Sequence, residues 1–255
     1  MKKLIQIVVL VIVVSLLMPT QASHAVGKTV LGVSTVYTES TGSVNFSVFI
    51  RSDEPIAGGS FELVYDSTML SVSKSNVKLG DALSSQIKSI NNEKDGSVHI
   101  AWVTDNGQEM DGDLLNISGR VQSVGKGNTI PLQLKNVHLI DEKGNQVSVQ
   151  VIQGAIKPFD GKQMTHSRSV AANKEWTITL NEPFNEYSLN KYAVTIKKGS
   201  TNVPIIIEPI SSTKFKVKPE TKYSTGTYTL EITEQLTSLS GSKLKEPVRL
   251  EFTVR

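Results

Sequence analysis

Apolar residues recur at every second position in short runs along most of the chain. Residues 44–50 show the pattern, with apolar side chains at Val44, Phe46, Val48 and Ile50. This alternation is typical of a strand with one buried face. Similar runs cover residues 61–64, 98–103, 115–121, 130–134, 137–140 and 147–152. Turn residues such as Asn106-Gly107 separate the runs, so the pattern predicts an antiparallel β-sandwich in which only residues 81–88 favour a helical turn.

The second half of the chain repeats this kind of pattern after an interruption. Pro158 and Gly161 break the alternation, and the polar stretch that follows has no apolar period. We therefore place a module boundary here, which gives a first module of residues 26–157 and a second of residues 158–255. Further runs occupy residues 176–180, 193–197, 203–208, 214–218, 227–232 and 248–254. The fold class expected is all-β, with two sandwich domains.

The first 25 residues have the organisation of a secretory signal peptide. Lys2 and Lys3 precede an apolar run over residues 4–18, and small residues follow. We expect cleavage after Ala25, with Ala22 as the alternative. An uncleaved membrane anchor is a second reading, but the apolar run is shorter than the roughly 20 residues of a spanning helix. The expected location is secreted, extracellular or cell-surface associated.

The composition of the chain limits the kinds of chemistry and of partner that it can support. The chain contains no cysteine, which excludes disulfides and cysteine catalysis and suits a Gram-positive exporter. Residues 26–157 hold 11 Lys and Arg against 14 Asp and Glu, whereas residues 158–255 hold 14 against 10. The excess of basic residues in the second module would favour its binding to anionic cell-wall polymers. The alternative is that these charges are scattered over the surface and keep the protein soluble. The alternation of Lys214, Lys216 and Lys218 along one strand face favours this alternative.

An ordered set of segments spans the first module, at residues 57–66, 69–72, 80–81, 100–102, 111–115, 136–141, 144 and 154–156. In these segments the module resembles the cohesin domain, the scaffoldin module that binds dockerins. Ser67 departs from the family, which usually has proline after the Tyr65-Asp66 turn. The resemblance implies a jelly-roll sandwich like that of carbohydrate-binding modules, a dockerin-like partner and a link to polysaccharide degradation. Independently of the resemblance, Asp66 is expected to accept a hydrogen bond from the backbone two residues on and so stabilise a tight turn.

Four segments of the second module carry a further resemblance, at residues 174–184, 223–230, 239–244 and 250–254. In these segments the module is similar to the immunoglobulin-like domains of bacterial S-layer and cell-wall proteins. The resemblance implies an immunoglobulin-like sandwich that acts as a spacer or stalk at the cell surface.

No catalytic constellation emerges from the sequence. His99, His138 and His166 have no neighbours at ligand spacing, and we expect neither a catalytic nor a cofactor site. The calcium candidates are Asp105, Glu109, Asp111 and Asp113, grouped with Asn106. A solvated turn is the alternative for this cluster. A glycosidase pair could be drawn from the same carboxylates, but sequence alone gives no separation for them.

Aromatic residues bear on the second functional hypothesis, which is polysaccharide or cell-wall binding by the first module. Trp102 and Trp176 alternate with aliphatic residues and are expected in the cores. The rings of Tyr37 and Tyr65 are expected to be freer, that is, less buried than the two tryptophans. We expect a non-catalytic binding protein that takes a dockerin-like or other secreted protein, with polysaccharide as the alternative ligand and no nucleic acid as partner.

Overall fold

The computed structural model describes residues 29–38, 40–83, 87–92, 94–122, 129–199 and 201–255. The predicted signal peptide, residues 1–25, lies outside them. Strands dominate the described chain, and helical structure is confined to short 3₁₀ turns, so the all-β prediction is confirmed. None of the helices in these ranges has the length and apolar character needed to cross a membrane.

The described residues of the first module form ten strands. They are β1 Thr29–Val33, β2 Val36–Tyr37, β3 Gly42–Val64, β4 Leu70–Ser71, β5 Val77–Leu79, β6 Ile87–Asn91, β7 Ser97–Val121, β8 Ile130–Ile140, β9 Gln150–Ile152 and β10 Gly154–Lys157. Two 3₁₀ turns, Lys74–Asn76 and Asp81–Leu83, lie between β4 and β6.

The long strands β3 and β7 bend and contribute to both layers of the sandwich. Their segments 42–52 and 108–121 pair with each other, and β1, β9, β4 and β5 extend this back sheet. Their segments 58–64 and 97–103 also pair, and β6 and β8 extend this front sheet. Alternate residues of both sheets face inward and form one core, which includes Phe46, Phe61 and Trp102.

Three local predictions need correction. The runs at 44–50 and 61–64 are parts of one strand, β3, whose pairing with β7 shifts register between Ser52 and Gly58 and then resumes. Asn106-Gly107 is not a turn between strands, because it lies inside β7, where a register irregularity bulges opposite Ile56 and Gly58. Of the helical turn predicted over residues 81–88, Asp81–Leu83 form a 3₁₀ turn, whereas residues 87 and 88 belong to a strand, because residues 87–91 pair with β7.

Eight strands build the second module. They are β11 Lys162–Thr165, β12 Trp176–Thr179, β13 Val194–Lys198, β14 Thr201–Val203, β15 Ile205–Ser211, β16 Lys214–Pro219, β17 Gly226–Ile232 and β18 Val248–Val254, with a 3₁₀ turn at Glu186–Ser188 before β13. Two sheets, β11-β18-β17-β13-β14 and β12-β16-β15, enclose a core that contains Phe215, Tyr228 and Phe252. The second sandwich is therefore also confirmed.

The two modules pack directly on each other through aromatic side chains. Val30, Phe49 and Ile152 point outward from the back sheet, yet they are buried because Tyr187 and Tyr192 of the second module cover them. Apolar area that would face water in an isolated sandwich is removed from it here, which favours the packed arrangement.

Hydrogen bonds between the two modules surround this aromatic contact. Arg51 Nη1 donates to the carbonyl of Glu186 at 3.1 Å, and Tyr187 Oη donates to Asp53 Oδ2 at 3.0 Å. The side-chain amide of Gln235 donates to the carbonyl of Val33. Because the contacts come from several strands, they fix the orientation of the second module on the first.

Candidate protein-binding face

The front sheet presents an open outer surface, which we call the front face. Strand alternation produces it, because Ile100 and Trp102 point into the core while the residues between them point out. Its members come from four neighbouring strands and are Gly58, Ser60, Glu62, Ser89, Asn91, His99, Ala101, Val103, Lys135, His138 and Ile140.

One row of the front face is apolar. Gly58 pairs with Ile140 on one side and with Val103 on the other. The two aliphatic side chains are 39% and 47% exposed, which is high for residues of this type. A Cβ at Gly58 would lie 3.5 Å from the Ile140 side chain, so the missing side chain keeps this row flat.

The next row combines small side chains with a histidine. Ser60 pairs with His138 of β8 and with Ala101 of β7, and Ala101 pairs in turn with Ser89. Small residues at these positions leave a shallow depression of about 290 Å³. A protruding side chain from a partner could enter it.

A third row is polar and held by hydrogen bonds around Glu62. Ser97 Oγ donates to Glu62 Oε1 at 3.0 Å, and Asn136 Nδ2 donates to Glu62 Oε2 at 3.1 Å. His99 Nε2 lies 3.3 Å from Glu62 Oε1. Asn136 adopts a φ of 51° at the point where the pairing of β3 with β8 shifts register. The bulge brings its amide to the carboxylate, so this row is ordered before any partner arrives.

The three rows together have the composition of a protein-binding surface. A flat apolar strip adjoins fixed hydrogen-bonding groups, and such an arrangement allows a desolvated centre with a polar rim. The outer surface of the back sheet differs, because the second module covers its apolar part around Phe49.

The structure does not bring the four calcium candidates together. Asp105, Glu109 and Asp111 are exposed along β7. Asp113 is buried and engaged by the second module, since it accepts a hydrogen bond from Tyr192 Oη and lies 3.1 Å from Lys191 Nζ. No group of three or more acidic or histidine side chains within the described ranges could hold a metal ion.

The remaining candidate residues have different surroundings. His99 and His138 lie on the front face, whereas His166 stacks edge-on against Trp176 at 5.6 Å. Trp102 is 5% exposed and Trp176 packs against the second core, so both tryptophan predictions are confirmed.

The two tyrosines do not form a sugar-stacking platform. The expectation of a freer ring is wrong for Tyr65, which is 8% exposed because it packs into the first core. The ring of Tyr37 lies between modules, edge-on to Phe159 at 5.3 Å and below the guanidinium of Arg249 at 5.5 Å.

Sequence reasoning did not distinguish the front face from the outer face of the back sheet. The period of two showed which residues point outward, but both sheets have outward residues. What distinguishes them is the cover over Phe49, and the sequence signal for it was an aromatic residue that breaks the alternation between Val48 and Ile50.

Comparisons with known proteins identify both modules. The cohesin domain model matches residues 27–157, and the bacterial Ig-like domain model matches residues 155–254. A search of curated proteins finds no match.

Several solved structures resemble the first module. A non-cellulosomal cohesin from Archaeoglobus fulgidus is 21% identical with a TM-score of 0.45, and the match covers 52% of this chain and 92% of that one. The sixth cohesin of scaffoldin B from Acetivibrio cellulolyticus, solved with a dockerin, is 21% identical with a TM-score of 0.45 and coverage of 51% and 98%. A cohesin from a type I cohesin–dockerin complex of Clostridium thermocellum is 17% identical with a TM-score of 0.45 and coverage of 52% and 99%.

Proposed function

The chain belongs to the cohesin family, and on that basis we propose that it is a secreted, non-catalytic adaptor that binds a dockerin-like protein through its front face. The first module supplies recognition. The second, an Ig-like domain, supports the first and holds it at or outside the cell surface.

One observation carries the choice of face. The second module covers the apolar part of the back sheet, so the exposed apolar row of Ile140 and Val103 lies on the opposite side of the sandwich. A partner can reach that row without displacing the second module. Exposed aliphatic side chains beside an ordered polar row support recognition of another protein.

Export through the N-terminal segment completes the proposal. Residues 1–25 carry the charge and hydropathy pattern of a signal peptide, with cleavage after Ala25 or Ala22. The absence of cysteine agrees with a folded protein that works outside the cell without disulfides. A link to polysaccharide degradation follows if the partner carries a polysaccharide-degrading enzyme.

Capture from the producing organism's secretome tests this function. The chain starting at Val26 serves as bait beside an Ile140→Asp variant, which places a charge at one end of the apolar row. The matched control is Ile210→Asp, which changes an isoleucine of similar exposure, 53%, in the second module. Partners are identified by mass spectrometry.

We expect the wild type and the Ile210→Asp control to capture a protein with a dockerin-like module. Ile140→Asp should capture at least about tenfold less of it. Capture of no protein above background, or equal capture by both variants, would argue against the proposal. Circular dichroism of each variant shows whether the sheet structure is retained.

A further inference from the structure

A second candidate site lies in a cleft between the two modules, away from the front face. Its volume of about 610 Å³ falls in the range of small-molecule sites. One wall is the polar end of the back sheet, and the other is formed by β13, β14 and β17. We propose that this cleft binds a segment of an acidic glycan, a polyhydroxylated chain that carries carboxylate or phosphodiester groups.

The first wall presents oriented amides. Ser47 Oγ donates to Asn116 Oδ1 at 2.8 Å, and Ser118 Oγ donates to Asn45 Oδ1 at 2.7 Å. These two bonds fix both carboxamides with their oxygens occupied. The Nδ2 groups are then positioned to donate to sugar hydroxyls.

The hydroxyl groups of two further lining residues point to the same chemistry. Tyr37 Oη and Thr195 Oγ1 are buried, and neither makes a hydrogen bond within the described part of the chain. A buried hydroxyl without a partner costs about 1–3 kcal/mol, and a small rotation of either side chain toward the cleft would let a ligand satisfy it.

Positive charge is in excess at the cleft. Glu231 is matched by two cations, Lys197 at 3.3 Å and Arg249 at 2.6 Å. Lys191 is matched by Asp113. Lys78 is exposed and takes part in none of the ion pairs formed among the described residues. An anionic group on the ligand would find a favourable potential near Lys78.

Both modules are needed to build the site. Lys78 and Asn116 belong to the first wall, and Thr195 and Asn202 to the second. A sandwich of either kind alone would have only half of the cleft. Tyr192, which stacks on Phe49, is itself one of the lining residues.

Isothermal titration calorimetry with the chain starting at Val26 tests the inference. The probes are oligogalacturonate as the carboxylate source, glycerol-phosphate teichoic acid as the phosphodiester source, and cello-oligosaccharide as a neutral chain. We expect at least one acidic probe to bind, with affinity that falls as NaCl is raised, and the neutral chain not to bind. The arm that binds identifies the anionic group.

Variants locate the binding. Lys78→Ala, Asn116→Ala and Asn202→Ala should each weaken the acidic probe by about tenfold, because each removes a charged or polar contact. Lys214→Ala is the control, since Lys214 is an exposed lysine on β16 outside the cleft. Absence of binding by both acidic probes, equal binding of the neutral chain, or wild-type affinity in all three cleft variants would overturn the inference.

The outcome is independent of the proposed function. Ile140→Asp should keep glycan affinity, and Lys78→Ala should keep protein capture, because the two surfaces share no residue.

Discussion

The ring of Tyr192 stacks on the ring of Phe49, with centroids 4.5 Å apart and planes 20° from parallel. Phe49 belongs to the first module and Tyr192 to the second. The tyrosine hydroxyl donates to the buried carboxylate of Asp113, so one side chain joins the modules by an apolar and a polar contact. Burial, followed by the hydrogen bond to Asp113, raises the pKa of Tyr192 above its usual range.

This contact predicts a single orientation of the two modules. The chain has no native cysteine, so Ser71→Cys and Ser212→Cys allow one spin label on each module. Double electron–electron resonance should give one narrow distance distribution, and adding Phe49→Ala should broaden it because the stacked ring is lost. Ile210→Ala is the control for a change outside the interface. A broad distribution in the labelled parent would contradict rigid packing.

The effect of substituting Gly32 on stability should depend on the ring of Phe49. A Cβ at Gly32 would lie 2.3 Å from Phe49 Cζ, so Gly32→Ala must displace the ring. We expect a loss of about 1–3 kcal/mol in the free energy of unfolding, measured by urea denaturation. In the Phe49→Ala background the same change should cost much less, because the obstacle is gone. Additive effects of the two substitutions would show that the ring does not contact Gly32.

Alkaline pH should destabilise the protein. The folded-state pKa of Tyr192 is raised, whereas an unfolded tyrosine titrates near pH 10. Its contribution is therefore fully present below about pH 10 and is lost as pH rises toward the folded pKa. Burial likewise raises the pKa of Tyr37, and it raises that of Tyr223 to about 12, so the decline has several contributors.

Tyr192→Phe isolates one contributor. The variant should lose about 1 kcal/mol at pH 7, because Asp113 loses a donor, yet its stability should fall less steeply between pH 9 and 11 than that of the wild type. Urea denaturation across this range measures both effects. Parallel curves for the two proteins would show that the Tyr192 hydroxyl does not contribute to the alkaline decline.

Much of the fold was predictable because local alternation reports burial directly. The prediction for residues 248–254 matches β18, and the expected Asp66 turn is confirmed by the bond from Thr68 N to Asp66 Oδ1 at 2.8 Å. The bent strands were not predictable, since the apolar alternation is interrupted over residues 52–57. They nevertheless belong to β3, and within them Ser52 and Ile56 pair with β7 at shifted register.

The candidate site was less predictable than the fold. Outward residues such as Ala101 and Ser60 carry no motif, and their value comes from the strands that lie beside them. Asp113 is an example, because its sequence neighbours predicted a calcium ligand. In the structure it instead contacts Tyr192 and Lys191 of the second module. Such long-range pairs leave no local signal.

Hydrogen exchange on the complex with the captured partner tests the use of the front face most directly. Peptides that cover residues 97–103 and 133–140 should exchange more slowly in the complex, whereas peptides from residues 43–52 and 111–118 of the back sheet should be unchanged. Slower exchange confined to the back-sheet peptides, with the front-face peptides unaffected, would contradict the account.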